Sequence, residues 1–422
     1  MNINYEKASF KDFENIPGVG PYKWAAAFGN YLDYLNQNGH MNYRLETSSG
    51  CGPVVDMDLP DNPNKQFVSL VSNDYLGFTQ HPKVKKAAIE GIVRYGTGAG
   101  ASPAIGGFHS YHRELEEKIA KFYKRKAAII YTTGYTANSA SLQALLKKED
   151  LAIVDMEVHA SVYEGLQLTN VKMFLHNNLE VLERILKENK DKYRTMMVII
   201  DGVYSQNGDI AHLKEIIALT KSYGGYVLMD DAHGTGVIGN TGRGVIELDG
   251  LYDQVDIITG TFSKALGHIG GYLVADPELV QFLKFQSRQH IFSSFSSPAS
   301  TCILKAIDLI DDEPEWRIKL WDNIAYFKNG LKDIGLNIGN SASAIIPVKI
   351  GNIWKNGEVC RLLQQAGVYA NQIMYPAVAR KDARIRMSLM ATHTKEHLDL
   401  ALNAWSWVAD KQKLREHPEM VE

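Results

Sequence analysis

The residue types best suited to chemistry lie in one stretch of the sequence, from Val227 to Gly271. An apolar run ends in Asp230, with His233 three residues later, and a second apolar run leads into the sequence GTFSK, whose lysine is Lys264. An acid, an imidazole and an amine at the ends of two buried strands would suit a cationic ring that is held as an imine. A simpler interpretation is also open, in which Asp230 caps a helix and His233 is a buried, hydrogen-bonded histidine.

Lys264 itself allows two interpretations. Lysines are mostly solvated, which makes an exposed side chain at a strand end the ordinary case. Its surroundings, TFSKALGHIGG, are small and hydroxyl-bearing residues followed by glycines, so the backbone can pack closely around the amine. Partial desolvation or a nearby cation favours the neutral amine that imine formation requires. The peptide alone does not decide between the two.

Two further segments supply the remaining parts of such a site. His159 follows another strand end, where an imidazole could lie flat on an aromatic ring, although by itself it resembles a loop or helix-start histidine. The sequence TTGYTAN, which contains Gly134 and Tyr135, stands between a strand and a helix, and amide N–H groups at such a helix start can bind phosphate. Together with Asp230 and Lys264, these segments predict a pyridoxal phosphate site.

Short apolar runs alternate with helical patterns through the middle of the chain, which predicts a parallel sheet with helices on both faces. The predicted strands are Ala127–Tyr131, Leu151–Val154, Met196–Ile200, Tyr226–Met229 and Val255–Ile258. In such sheets ligands bind beyond the carboxyl ends of the strands, so the polar residues that follow the apolar runs are placed where chemistry is expected. These residues are Asp155, Asp201, Asp230 and Thr261.

The pattern divides the chain into three parts and gives an α/β fold class. Residues 1–65 predict an N-terminal arm with one helix, Trp24–Gln37, and little core of its own, and residues 66–298 predict a large domain with a mostly parallel sheet. Residues 299–422 predict a smaller α+β domain, with helical stretches over Ala299–Ile334 and Lys395–Asp410 and strands at Ala344–Ile350 and Arg384–Leu389.

Composition bears on the partners and the compartment. The 45 lysines and arginines nearly balance 48 aspartates and glutamates, which favours a small-molecule partner over a nucleic acid. Cys51, Cys302 and Cys360 have the spacing of neither a disulfide framework nor a metal site, and we expect no metal. The first residues lack the order of a signal peptide, and no run reaches the roughly 20 apolar residues that span a bilayer. We expect a cytoplasmic protein, although lipid substrates would also allow peripheral membrane contact.

Nine segments in one order, between Asn73 and Thr394, resemble the α-oxoamine synthases. These are fold-type I pyridoxal phosphate enzymes that condense an amino acid with an acyl thioester and release carbon dioxide. Any one segment would be weak evidence, whereas the ordered set is specific. The segments are SNDYLGF, YGTGAG, HRELEEKIAKFY, TTGYTAN, EVHASVYEG, DGVYSQNGDI, DDAHGTGVIG, GTFSKALGHIGG and RIRMSLMATHT.

The resemblance implies a role for each matching residue. Lys264 would form the imine with the cofactor and remove the substrate α-proton, and Asp230 would pair with the ring nitrogen. His159 would stack on the ring, while His233 and Ser205 would approach the ring oxygen. The cofactor-binding residues implied in this way are Gly134, Tyr135, His159, Ser205, Asp230, His233, Thr261 and Lys264, of which Lys264, His159, Asp230 and His233 are also the expected catalytic residues.

The resemblance also implies substrate contacts and a homodimer with its active sites at the interface. Arg386, aided by Asn73, would hold the carboxylate of the amino acid, because bidentate pairing fixes the bond that breaks. A surface arginine on an edge strand is the alternative for Arg386. Ser293 or Ser294 would reach the phosphate of the neighbouring subunit, and the run of serines leaves the choice between them open.

Within the family, the sequence is most similar in appearance to the bacterial serine palmitoyltransferase branch, through VDIITGTFSKAL, NQIMYPAVA and MSLMATHT. The favoured reaction is therefore condensation of L-serine with a long-chain acyl thioester, carried by coenzyme A or an acyl carrier protein, to a 3-keto long-chain base of the sphingolipid type. Members of the family that use glycine with an acetyl thioester (2-amino-3-ketobutyrate ligase) or alanine with a pimeloyl thioester (8-amino-7-oxononanoate synthase) are alternatives.

Departures from that branch keep other substrates and functions open. Ala101-Ser102-Pro103 stands where relatives commonly carry an arginine, and Ala379 replaces a proline. If Arg380, Lys381 or Arg384 entered the pocket, a second anion on the amino acid would be favoured, as in cysteate for sulfonolipid bases; otherwise these are solvated charges. A catalytically silent subunit and an aminotransferase are the functional alternatives; the presence of Lys264 argues against the former.

Overall fold

A computed structural model describes residues 3–60 and 62–415 of the chain. These residues form two compact units. The larger unit comprises Asn73–Ser205 and Asp209–Ile318, and the smaller comprises the described residues up to Ser72, the turn Gln206–Gly208 and the described residues from Lys319 onward.

The strands, numbered along the chain, are as follows: β1 (Val54–Asp56), β2 (Gln66–Ser69), β3 (Ala127–Tyr131), β4 (Leu151–Asp155), β5 (Asn170–Phe174), β6 (Met196–Asp201), β7 (Tyr226–Asp230), β8 (Ile257–Thr261), β9 (Gly271–Ala275), β10 (Ile345–Lys349), β11 (Val368–Tyr369), β12 (Asn371–Ile373) and β13 (Arg384–Ser388). The α-helices are α1 (Pro21–Gln37), α2 (Pro82–Tyr95), α3 (Ser110–Phe122), α4 (Gly134–Leu145), α5 (Ala160–Gly165), α6 (Leu179–Asn189), α7 (Leu213–Ser222), α8 (Pro277–Gln286), α9 (Thr301–Asp312), α10 (Glu315–Ile334), α11 (Ile353–Gln365) and α12 (Lys395–Gln412).

A seven-stranded sheet forms the centre of the larger unit, in the order β3-β9-β8-β7-β6-β4-β5. All neighbouring pairs are parallel except the two that involve β9, which runs against β8 and β3. Strands β4, β6 and β8 are buried along their whole length, and the mainly apolar sequences of β4 and β6 are typical of parallel strands covered on both faces. The predicted α/β class with a mostly parallel sheet is confirmed.

Four polar residues end parallel strands of this sheet, as the sequence predicts. β4 ends at Asp155, β6 at Asp201, β7 at Asp230 and β8 at Thr261. All four are buried, and Asp201 is the direct register partner of Asp230. The sheet therefore brings several polar side chains to one edge, where a ligand site is expected.

The smaller unit contains two three-stranded sheets, in the orders β1-β2-β11 and β10-β13-β12. The strands and helices predicted for the C-terminal part are present, with the break near residues 311–314 falling between α9 and α10. The last residues of that predicted part, 416–422, lie outside the described residues, as do residues 1, 2 and 61 of the predicted arm.

The N-terminal segment differs from an arm without a core. Its aromatic residues pack on one another: the rings of Phe13 and Tyr31 stack at 4.9 Å, and Tyr31 Oη donates a hydrogen bond to the Ala8 carbonyl at 2.8 Å. Asn42 is also buried, where it donates to the Gly357 carbonyl and accepts from Gln364. These contacts explain why the segment belongs to the same compact unit as the C-terminal residues rather than forming a separate part.

Several elements have no counterpart in the sequence prediction. β5 is an edge strand whose residues are largely exposed, so it lacks a continuous apolar run, and β9 directly follows the glycines of the Lys264 loop. None of the helices in the part of the chain that the structure describes is long and apolar enough to cross a membrane. The cytoplasmic location and the peripheral membrane contact remain predictions.

Candidate active site

A cavity lies at the carboxyl ends of the central strands and collects most of the residues predicted for the site. Seven of the eight predicted cofactor-binding residues line it: Gly134, Tyr135, His159, Asp230, His233, Thr261 and Lys264. Ser161, Asp201, Val203 and Ala232 complete the lining. Strands β6, β7 and β8, the start of α4 and the start of α5 thus contribute to one site, as expected for an open α/β sheet.

Lys264 is held at the cavity by a tight loop after β8. The Phe262 N–H donates to the Gly270 carbonyl at 3.0 Å, and the Gly267 N–H donates to the Lys264 carbonyl at 2.9 Å. Gly267 has a φ of +71°, and a Cβ there would lie 2.8 Å from the backbone of Thr79, so the loop needs glycine at this position. The loop presents the Lys264 amine 2.7 Å from Nε2 of His233.

A chain of hydrogen bonds continues from Lys264 through His233 to Tyr75 and Asn73. Tyr75 Oη lies 2.6 Å from His233 Nδ1 and 3.2 Å from Asn73 Oδ1. One assignment satisfies the three contacts: Lys264 donates to Nε2, Nδ1–H donates to Tyr75, and Tyr75 donates to Asn73. In this assignment the contact with His233 gives the Lys264 amine a fixed direction.

Tyr75 is a site residue that the sequence analysis did not identify. It lies in the segment SNDYLGF, where the Asn, Asp and Gly residues indicated only a turn. It is 1% exposed, and its contact with His233 joins residues 158 positions apart. The available signal was the matching segment itself, because the position of the hydroxyl depends on tertiary packing.

Asp230 is buried with its carboxylate satisfied from two sides. Its Oδ1 accepts from the Ala232 N–H at 3.0 Å, and its Oδ2 accepts from Asn138 Nδ2 at 2.6 Å. Asn138, on α4, also donates to Ser161 Oγ at 3.0 Å and accepts from Thr259 Oγ1 at 2.6 Å. Since every polar atom of the Asn138 amide has a partner, this second unpredicted residue fixes the orientation of the Asp230 carboxylate.

The same network positions His159, the N-cap residue of α5. Ser161 Oγ lies 2.8 Å from His159 Nδ1, and the His159 ring meets the Tyr135 ring edge-on at 6.1 Å. Burial lowers the pKa of His159, and the nearby Lys264 lowers it further against the opposing effect of Asp230. His159 is therefore a neutral imidazole at pH 7, the form suited to lie against a cationic ring.

Asp201 is a third acid in the cavity. It is 3% exposed and stands next to Asp230 across the β6–β7 pair. Burial and the Asp230 charge raise its pKa well above the ordinary value, although the His159 N–H and Lys264 act in the opposite direction. Two neighbouring buried carboxyls do not both ionise readily, so this surrounding favours the protonated form of Asp201.

The start of α4 has the features of a phosphate site. Thr133 caps the helix, its Oγ1 accepting from the Thr136 N–H at 3.0 Å, and Gly134 and Tyr135, the first two residues of the helix, line the cavity. A Cβ on Gly134 would lie 2.7 Å from the Thr261 Cβ, so only glycine allows this approach. A helix start, a buried carboxylate and an amine in one cavity fit pyridoxal phosphate.

The remaining predicted residues have different surroundings. Ser205 lies half-buried in the turn after β6, and Asn73 accepts from Tyr75. Ser294 has a φ of +52°, its Oγ accepts from the Gly100 N–H at 3.1 Å, and its N–H donates to the Ala101 carbonyl at 3.0 Å. Ser294 thus holds the glycine-rich loop within its own chain, and both Ser293 and Ser294 are exposed.

The basic residues of the smaller unit have structural partners there. Arg386, on β13, is 6% exposed and donates to Ser388 Oγ at 3.0 Å. Arg384 donates to the Asp382 carbonyl at 2.9 Å and to the turn residues Gln206 and Asn207. Arg380 pairs with Asp12 at 2.8 Å, and its guanidinium lies 4.7 Å from the centre of the Tyr375 ring.

Comparison with known proteins assigns the chain to a family. Residues 65–404 match the family described as aminotransferase class I and II. An 8-amino-7-oxononanoate synthase of Thermoanaerobacter pseudethanolicus is 42% identical over 86% of this chain and 91% of the relative, and that of Bacillus subtilis is 40% identical over 91% and 97%. A serine palmitoyltransferase structure from S. paucimobilis has a TM-score of 0.87 at 29% identity, over 93% of this chain and 98% of that one.

The fold and the cavity define a fold-type I pyridoxal phosphate enzyme. The chain belongs to the α-oxoamine synthase family, the C-acyltransferases within this class. The family, the cofactor and the enzyme class expected from the sequence are thereby confirmed.

The position of Lys264 generates the first prediction. Reduction of the cofactor-loaded protein with borohydride, digestion and mass spectrometry should find the phosphopyridoxyl group on the Lys264 peptide, because this amine lies in the cavity beside His233. Lys264→Ala should carry no label and lose the visible absorption of the bound cofactor. Lys221→Ala, which removes a surface lysine paired with Asp256, is the control and should label normally. Labelling of another lysine in the wild-type protein would refute the assignment.

Proposed function

We propose that this protein catalyses the decarboxylative condensation of L-alanine with a pimeloyl thioester, the reaction of an 8-amino-7-oxononanoate synthase. The observation that carries the proposal is the 40–42% identity to synthases of that name over most of both chains. The serine palmitoyltransferase structures are 28–30% identical. The greater identity supports the alternative with alanine over L-serine and a long acyl chain, which the local segments favoured.

The residues of the cavity divide the proposed chemistry among them. Bound pyridoxal phosphate would supply a ring that stabilises negative charge at the substrate α-carbon. The Asp230 carboxylate would hold the proton of the ring nitrogen, and the neutral His159 would cover one face of the ring. The Lys264 amine, directed by His233 and Tyr75, would bind the cofactor and then take the α-proton.

The surroundings of the basic residues bear on the size and charge of the amino acid. Arg380 pairs with Asp12 and also donates to the Lys7 carbonyl at 2.7 Å, and Arg384 is buried against a turn of its own unit. Since both guanidiniums have structural partners, they lend no support to a second anionic group on the substrate. Cysteate is therefore a weaker candidate than a small uncharged amino acid such as alanine.

A second candidate, serine palmitoyltransferase, is favoured by one specific observation. The solved structure of that enzyme from S. paucimobilis superposes on the chain with a TM-score of 0.87 and covers nearly all of it. L-serine and long-chain thioesters accordingly belong in the same experiment as alanine and the pimeloyl thioester.

The substrate prediction is tested with a panel of amino acids and acyl thioesters. Alanine, serine, glycine and cysteate would each be paired with acetyl, pimeloyl and palmitoyl thioesters of coenzyme A and of acyl carrier protein, and thiol release would be measured. Alanine with a pimeloyl thioester should give a kcat/KM at least about tenfold above serine with palmitoyl, which corresponds to about 1.4 kcal/mol of transition-state discrimination. Faster turnover of serine with palmitoyl would reverse the proposal, and transamination without thiol release would indicate an aminotransferase. Lys264→Ala supplies the background rate.

Arg386 is proposed, from the family resemblance, to hold the substrate carboxylate together with Asn73. Arg386→Ala should raise the KM for the amino acid by about tenfold or more and leave the KM for the thioester near its wild-type value, since loss of a charge-assisted hydrogen bond costs about 1.5–3 kcal/mol. Arg113→Ala, which removes an exposed arginine of α3, is the control. Equal changes in both KM values would contradict the proposed role.

We also propose that the protein is a homodimer with active sites at the interface. Exposed apolar side chains support this proposal: Ile89 is 62% and Val93 81% exposed on α2, and Ile105 is 81% and Phe292 54% exposed on the two loops that meet at Gly100 and Ser294. Large exposed apolar surface is typical of protein interfaces.

A charge placed on this surface tests the dimer. Val93→Glu should shift the molecular mass in sedimentation from that of a dimer to that of a 47.1 kDa monomer, because an unpaired carboxylate would be desolvated in the interface. Leu248→Glu, on an exposed apolar residue elsewhere in the same unit, should remain dimeric. A monomeric wild-type protein would end the proposal.

A further inference from the structure

A second group of charged side chains lies at the ends of β4 and β6, centred on His176. His176 Nδ1 is 3.1 Å from Asp155 Oδ1, and Nε2 is 2.7 Å from Asp209 Oδ2. Glu157 faces the same ring at 4.0 Å, and the Tyr204 ring meets it edge-on at 4.3 Å. These five residues lie outside the lining of the cofactor cavity.

The imidazolium form of His176 satisfies both carboxylates at once, because each ring nitrogen then donates a hydrogen bond. Burial opposes this charge, but the hydrogen bonds and charges of Asp155 and Asp209 outweigh burial and raise the pKa of His176 to about 10. The ordinary value is 6.5. The charged contact is therefore complete below pH 6.5, persists at physiological pH and is lost as the pH rises through about 10.

The contacts of His176 and its neighbour Asn177 converge on the segment after β6, residues 202–205 and 209–211, which we call the β6 loop. Asn177, with a φ of +52°, donates its N–H to Asp155 at 2.8 Å and its side-chain amide to the Ile210 carbonyl at 3.2 Å. Within the loop, the Tyr204 N–H donates to the Asp209 carbonyl at 3.0 Å. The end of β4 and the far side of the β6 loop are thus tied together through two adjacent residues.

The β6 loop borders the cofactor cavity. Val203 is part of the cavity lining, Asp201 immediately precedes the loop, and the Gly202 N–H donates to the Asp230 carbonyl at 2.7 Å. Ser205, which the resemblance places near the ring oxygen, is carried by the same loop. Displacement of the loop would therefore move Val203 and Ser205 and alter the wall of the cavity, while Asp230, His233 and Lys264 lie outside the loop.

We propose that His176 is a positioning residue: by bridging Asp155 and Asp209 as an imidazolium, it fixes the β6 loop and so shapes the cavity for pyridoxal phosphate. The bridge acts on the cofactor site and is independent of which amino acid and thioester the enzyme uses. A result that disproves this role of His176 would therefore leave the substrate proposal unaffected, and the reverse also holds.

The test uses His176→Gln and Asp209→Asn, singly and together, in the full-length protein. Hydrogen–deuterium exchange without cofactor should be at least about tenfold faster in peptides of the β6 loop for each single variant, because charge-assisted hydrogen bonds are lost. The Kd for added pyridoxal phosphate should rise about tenfold or more. The double variant should exceed either single variant only slightly, because both substitutions break one bridge. Exchange in the wild-type loop should also accelerate as the pH rises through about 10. The double variant, which lacks the bridge, measures the intrinsic pH dependence of exchange, and the wild type should show a larger acceleration than that.

The control is His81→Gln, which removes another histidine paired with a carboxylate, Glu313 at 3.3 Å, at the start of α2. This variant should exchange and bind cofactor as the wild type does. Unchanged loop exchange in both single variants, or fully additive effects in the double variant, would overturn the proposal. Altered exchange throughout the larger unit, with no excess in the loop, would assign His176 a general structural role and would equally overturn it.

Discussion

The site depends on keeping one negative charge, that of Asp230, in a place largely removed from water. An isolated carboxylate there would be costly, so the charge requires hydrogen bonds from the protein and a cation in the cavity. Asn138 and the Ala232 N–H provide the hydrogen bonds. A protonated pyridine nitrogen is a cation of the required kind. Pairing with Asp230 would therefore both stabilise the bound cofactor and keep its ring protonated, which is the electron-withdrawing form that the chemistry needs.

The ionisable residues beside Asp230 are arranged so that they do not take over its negative charge. Asp201 would compete for it, but its burial beside Asp230 raises its pKa and so favours its protonated form. His159 is held neutral by burial, and His233 accepts from Lys264 when its other nitrogen donates to Tyr75. Residues of the same type thus differ in their protonation because they differ in burial, in hydrogen-bond partners and in the charges next to them. His176 shows the opposite outcome, because two carboxylates hold its charge in place.

Substrate choice follows a different logic from cofactor binding. One of the segments that favoured the serine branch, VDIITGTFSKAL, contains Lys264, and the task of binding the cofactor is the same whichever amino acid is used. Two of the three basic residues that suggested a second anion, Arg380 and Arg384, hold the N-terminal segment and the turn at residues 206–207. A charged residue near a motif cannot be assigned to substrate binding until its partners in the structure are known. Identity over most of the chain is the better guide, and it favours the 8-amino-7-oxononanoate synthases.

The sequence by itself determined the α/β class, the polar strand ends and most of the predicted residues that line the cavity. Strand–helix alternation and the position of a residue at a strand end are local properties, and in a parallel sheet all such ends share one edge. Only the tertiary structure decided that Tyr75 supports His233, that Asn138 orients Asp230 and that His176 bridges two acids. Those contacts join residues 158, 92 and 33 positions apart, and they exist only where packing brings side chains within hydrogen-bonding distance. The same holds for the N-terminal segment, whose core consists of aromatic contacts with no periodic signature, and for the edge strand β5, whose exposed residues carry no apolar run.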